Sequence, residues 1–157
     1  MIVIYHCYGG NHASPVAAAL HLGLLSPERP PSYQQLMALP LYDKVPPSRY
    51  GTLFILGRDA EGREVGVLAV KNGADLMERL IRDTLRLLGR NPAALVFVDV
   101  LPCINFWMRL GGFLSRQLGL VALGRPLVAW GTRLAFEKIK ALVEEARRGG
   151  HHLSFPL

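Results

Sequence analysis

Two apolar patterns alternate along the chain: short unbroken runs, and longer stretches in which apolar residues recur every third or fourth position. The first kind reads as buried strand and the second as helix packed on one face. "MIVIYH" opens as a buried strand. A helix through Leu22 follows, with Ser14 as N-cap, Pro15 at the first helical position and Gly23 ending it. Residues 24–51 are proline-rich, and within them Ser32 and Gln35 have capping-box spacing, for a short helix ending before Pro40. "TLFILG" and "REVGVLAV" are strands joined by the turn "RDAEG". In "NGADLMERLIRDTLRLLG" the apolar stripe is Leu76, Met77, Leu80, Ile81, Leu87 and Leu88, with Asp75/Arg79 and Glu78/Arg82 paired on the wet side. "ALVFVDVL" is a further apolar strand, and a helix over 104–118, apolar on most faces, follows it. Gly111 and Gly112 inside that helix mark close packing or a break. "PLVAWG" reads as a last strand and "RLAFEKIKALVEEARR" as a last amphipathic helix.

Strands alternating with helices predict an α/β fold. The expected form is a three-layer, Rossmann-like sandwich around a mostly parallel five-stranded sheet with one antiparallel strand. Counting crossings sets the directions. The first helix returns the chain, and the short helix in the proline-rich passage carries it back, so "TLFILG" runs against the first strand. The strands at 65–70, 94–100 and 126–130 then run with it. Residues 1–148 form a single domain in this reading, and 149–157 a loose tail that includes His151 and His152.

Composition changes this picture little. With 50% apolar and 19% charged residues the chain falls in the compact globular range. No run approaches the roughly 18 to 20 apolar residues that span a bilayer, and the longest candidate carries Asp99 and Pro102. No basic leader precedes the first strand, so the reading expects a cytoplasmic protein, away from membranes, with reduced thiols at Cys7 and Cys103. The net charge of +6 favours anionic partners. Because the basic residues are scattered, a small anionic molecule is expected rather than nucleic acid. A homo-oligomer stays open.

In such a sheet, ligands sit beyond the carboxyl ends of the parallel strands. Four loops meet there: 6–14, 71–73, 99–105 and 131–133. In the first, Gly9 and Gly10 permit positive φ and close backbone approach, and the helix start at Ser14 adds free N–H groups and the positive end of a dipole. Together they form a cradle for phosphate or carboxylate. Asn11, His12 and Ser14 supply side-chain donors, Lys71 and Arg133 a cationic clamp, and Asn105 and Thr132 stand beside them on the neighbouring loops. No lysine precedes Ser14, so the ordinary nucleotidase loop is missing. The competing reading is a tight strand-to-helix turn without a ligand.

Asp99 ends an apolar run, where a carboxylate needs a partner. Beside a phosphate it suits Mg²⁺ held through water, or a nucleophilic water; otherwise it caps the next helix or pairs with an arginine. His12 and Asp99 are therefore the candidate catalytic residues. A cysteine-phosphatase loop of the C-x5-R type would join Cys7 to an arginine at 13, where this chain has Ala13; that argues against it and leaves Cys7 as a buried, inert cysteine in this reading. Cys7 and Cys103 are the weak metal candidates, converging with His12 and Asp99 as a zinc set. His6, next to Cys7, points to the opposite face. The expected function is binding of a phosphorylated small molecule or nucleotide, with phosphoryl or acyl transfer as its chemistry if it is an enzyme. The rivals are a non-catalytic interaction protein, using helix 104–118 or residues 26–49, and a Cys/His zinc protein.

"YHCYGGNHAS", "GRD", "LPCINFWMRLGGFLSR" and "GRPLVAWGTR" together resemble an uncharacterised bacterial family, a domain of unknown function. Its first motif reads Tyr-His-Cys-Tyr-Gly-Gly, a small polar residue, then His, which Tyr5 to His12 match. The resemblance covers nearly the whole chain. It implies a bacterial cytoplasmic protein and assigns no catalytic residue.

Overall fold

The structure, a computed structural model, describes residues 1–149, so the expected tail, 149–157, lies outside the described residues from position 150 on. Four strands build one sheet: β1 (Ile2–Cys7), β2 (Leu53–Arg58), β3 (Glu64–Ala69) and β4 (Leu95–Asp99), in the order β2-β3-β1-β4. β1 lies between β3 and β4 and runs parallel to both, while β2 is the antiparallel edge. The directions expected from counting crossings hold for these four. Alternation along the strands divides the core in two. Val3 and Tyr5 join Val65, Val67, Val96 and Val98 on one face, and Ile4 joins Leu68, Leu95 and Phe97 on the other.

The first face is covered by α1 (Ala13–His21) and the long α5 (Val121–Arg147). All nine residues of α1 are buried, and its run of alanines lets it lie close between sheet and α5. The second face is covered by α3 (Ala74–Leu87) through Met77, Ile81 and Leu85. That contact corrects the expected stripe: Leu76, Leu80, Leu87 and Leu88 are exposed. Glu78 and Arg82 do pair, at 2.8 Å, whereas Arg79 donates to the Asp75 carbonyl. The short α2 (Tyr33–Ala38) has the expected capping box, Ser32 and Gln35 each satisfying the other's backbone N–H.

The sheet has four strands rather than five, because 126–130 is helical and belongs to α5. Buried positions 124, 128, 131, 132, 135, 136, 139, 142, 143 and 146 continue at helical spacing through the segment. The six-residue stretch 126–131 read alone cannot reveal that period. Pro126 only removes the N–H that would reach the Ala122 carbonyl, a local loss that packing offsets. The packing partner is α4 (Phe106–Arg116). A Cβ on Gly111 would stand 2.5 Å from the Val128 nitrogen, and one on Gly124 2.6 Å from the Gly111 carbonyl oxygen. These glycines therefore serve backbone contact between α4 and α5, and α4 is unbroken at both 111 and 112. No helix among the described residues is long and apolar enough to cross a membrane.

Candidate functional site

The loop after β1 is held from below by its own side chains. Gly10 has φ of 63°, and a Cβ there would meet the Ala69 Cβ at 3.0 Å, so the turn lies against the end of β3. Asn11 is buried and fully engaged: its amide donates to the Gly9 and Val45 carbonyls, and its oxygen accepts from the Val45 N–H. α1 starts at Ala13 with His12 at the N-cap position, so Ser14 is not the cap. Its hydroxyl is instead buried 3.1 Å from Cys7 Sγ. Among the described residues, no acceptor takes the backbone N–H groups of Gly9 to Ser14. The side chains thus brace the loop while its N–H groups stay uncommitted.

Above this loop lies a cavity of about 480 Å³ at the carboxyl ends of β1 and β3. Cys7, Gly9, Asn11 and His12 line one side. Tyr8, Tyr50, Leu101, Ile104, Met108 and Phe113 supply apolar and aromatic wall, and Arg109, Gly112 and Arg116 come from α4. Two arginines and no carboxylate line it. Arg109 is exposed and makes no ion pair among the described residues. Arg116 donates to the Asp43 and Val45 carbonyls, while its Nε is buried with no partner. A Cβ on Gly112 would lie 3.1 Å from His12 Cε1, so this glycine leaves room for the ring.

His12 is oriented by Asp43, whose Oδ1 lies 3.3 Å from Nε2. The Asp43 side chain has no solvent exposure, and its Oδ2 accepts from Ser115 and Arg125, both at 2.8 Å. Burial alone would raise this carboxyl, but hydrogen bonds from His12, Arg125 and Ser115 outweigh it and hold the group at about 2. Asp43 therefore stays ionised, and His12 Nε2 is the nitrogen that donates to it.

Of the remaining expected site residues, several stand elsewhere. Thr132 and Arg133 lie inside α5, not on a strand-end loop. Thr132 is buried and bonded to Tyr42 and the Val128 carbonyl, and Arg133 borders a separate shallow cleft beside Trp130. Asn105 caps α4 through the Met108 N–H and donates to the Gly131 carbonyl. Lys71 sets its Nζ 5.1 Å above the Tyr50 ring, and its neighbour Asn72 reaches the cavity instead. Asp99 sits on the α3 face, where Oδ1 accepts from the Leu101 N–H and lies 3.8 Å from His6 Nδ1. Burial lowers the His6 pKa despite Asp99, Glu78 and Asp75 nearby. Asp99 is not among the residues lining the cavity.

Cys103 is buried in the core, its thiol pushed up by desolvation to about 11. Among the described residues no group of three or more His, Cys, Asp or Glu is placed to hold a metal ion, which leaves the zinc set without support. Sequence reasoning missed Asp43, Arg109 and Arg116. Asp43 lies in the proline-rich passage, which was read as a connection or, in the rival reading, as an interaction surface, and not as part of the site. The two arginines had a signal, since positions 109, 112, 113 and 116 share one face of a helix.

Residues 2–148 match the family model described as "Protein of unknown function (DUF3189)". No curated protein and no solved structure matches the chain.

Proposed function

Since the chain belongs to this family of unknown function across nearly its whole length, we propose its activity from geometry: it binds a phosphorylated small molecule or nucleotide in the cavity at the strand ends. One observation carries the reading. A cavity lined by two arginines and no carboxylate is bordered by Gly9, Asn11 and His12 of the glycine loop, and the loop's N–H groups from Gly9 to Ser14 have no acceptor among the described residues. Successive free N–H groups at a helix start bind tetrahedral anions, and in a partly dry cavity each such contact gains strength. Gly9, Gly10, Asn11 and Ser14 act through backbone, Arg109 neutralises charge, and His12 faces whatever is bound. The apolar wall suits a base or another ring. Mg²⁺ would enter with the ligand's own phosphates.

Thermal unfolding against nucleotides, sugar phosphates, inorganic phosphate and Mg²⁺ tests this. A ligand at 100 times its dissociation constant adds about 2.7 kcal/mol, which raises the midpoint of a domain this size by several degrees. Flat curves across the panel would refute the reading.

A second reading, a non-catalytic interaction protein or homo-oligomer, draws on a different observation. Phe106, Trp107 and Trp130 form an exposed aromatic face on α4 and α5, the two indoles 4.8 Å apart between centroids. Association that is lost on Trp130→Ser, with no response to phosphates, would favour it.

A further inference from the structure

Anion binding alone gives no use to the cysteine in the cavity wall. Cys7 ends β1 beside Ser14, lines the cavity, and shares it with His12, whose Nε2 is held by the ionised Asp43. With Nε2 donating to Asp43, Nδ1 is the nitrogen left to exchange a proton. Ala13 stands where a cysteine-phosphatase loop carries its arginine, but α4 brings arginine to the same cavity from another part of the chain. Arg116 Nε is buried there without a partner, and Arg109 is unpaired among the described residues. A nucleophile, a base oriented by a carboxylate, free N–H donors and cations thus converge on one space.

We propose that Cys7 is the nucleophile of a phosphomonoester hydrolase acting on esters whose organic part is an aromatic ring. The proposal rests on the phosphate-binding reading above, and takes the ring from the wall formed by Tyr8, Tyr50 and Phe113. The Cys7 thiol gives its proton to His12 Nδ1. The thiolate, accepting from the Ser14 hydroxyl, attacks phosphorus; the S–P bond forms as the P–O bond to the ring breaks. His12 returns the proton to the departing oxygen. Water then attacks the phosphocysteine, the S–P bond breaks, phosphate leaves, and the water's proton passes through His12 back to the thiol. No further reactant is needed.

The test uses the full chain, p-nitrophenyl phosphate as substrate and inorganic phosphate as ligand. The wild-type protein should release p-nitrophenol, and acid-quenched samples should carry one phosphate on the Cys7 peptide. Cys7→Ser should lower turnover at least 100-fold while phosphate still raises its unfolding midpoint. Iodoacetamide should alkylate Cys7 and abolish turnover in step, with phosphate slowing both several-fold; if Cys7→Ser does not fold, turnover that survives alkylation of Cys7 overturns the nucleophile proposal. If phosphate raises the midpoint but turnover is absent, or is unchanged in Cys7→Ser, the nucleophile proposal is overturned and the binding reading stands. If phosphate neither raises the midpoint nor protects Cys7, the binding reading fails and takes this proposal with it.

Discussion

Asp43 Oδ1 lies 3.3 Å from His12 Nε2, joining the proline-rich connection to the glycine loop beneath the cavity. Asp43 also has φ of 52°, so the chain accepts a left-handed residue to place this carboxylate. Asp43→Asn keeps shape and tolerates that φ, yet removes the charge that Arg125, Ser115 and His12 address. It should cost about 2 kcal/mol of stability, the scale of hydrogen bonds to a charged group, read by urea unfolding. Ligand affinity should fall as well, because His12 loses its orientation.

Stability should depend on pH in two stages. His21 is buried between Tyr5, 2.6 Å from Nδ1, and Asp59, 2.9 Å from Nε2. Burial lowers its pKa despite the Asp59 hydrogen bond. The unfolded chain therefore binds more protons below about 6.5, and stability falls as pH drops through that value. Asp43 and Asp59 are both held at about 2, in each case because hydrogen bonds outweigh burial. Their contribution is present above the ordinary carboxylate range and is lost as pH falls from about 4 toward 2. Melting curves from pH 8 to 3 should show a gentle decline first and a steep one later. A midpoint that rises below pH 6 would contradict this.

Gly111→Ala sets two effects against each other. Helix propensity favours alanine by about 1 kcal/mol, but the new Cβ would stand 2.5 Å from the Val128 nitrogen, where a helix backbone cannot yield. Overpacking of this kind costs about 1–3 kcal/mol or more, so the net effect is destabilisation. A lowered melting midpoint checks it; a raised one would show that α4 and α5 separate easily.

Gly10→Ala combines a left-handed φ with a 3.0 Å approach to the Ala69 Cβ. The conformational part alone costs roughly 1–2 kcal/mol. The variant should lose stability and binding together, so it cannot isolate the site. Arg109→Ala can, because the side chain is exposed and unpaired among the described residues. It should weaken phosphate binding several-fold with the unliganded midpoint unchanged.

Much of the fold was legible because its signals are local. The hairpin, the capping box at Ser32 and the directions of β1 to β4 follow from short runs, turns and counted crossings. The loop from Cys7 to Ser14 was legible as a candidate site for the same reason, its glycines and helix start being adjacent in sequence. The error at 126–130 came from reading one short stretch without the longer period around it, and it carried Thr132 and Arg133 to the wrong place. Asp43, Arg109 and Arg116 depend on how distant segments meet, which no short window contains. The α4 glycines showed that something packs closely; only the structure identifies it as α5.

The most direct test of the central claim is a titration of ¹⁵N-labelled protein with inorganic phosphate, following each backbone amide. The account predicts saturable shifts concentrated at Gly9, Gly10, Asn11, His12, Ala13 and Ser14, the amides without an acceptor among the described residues. Unmoved amides there, or shifts confined to other surfaces, would contradict it.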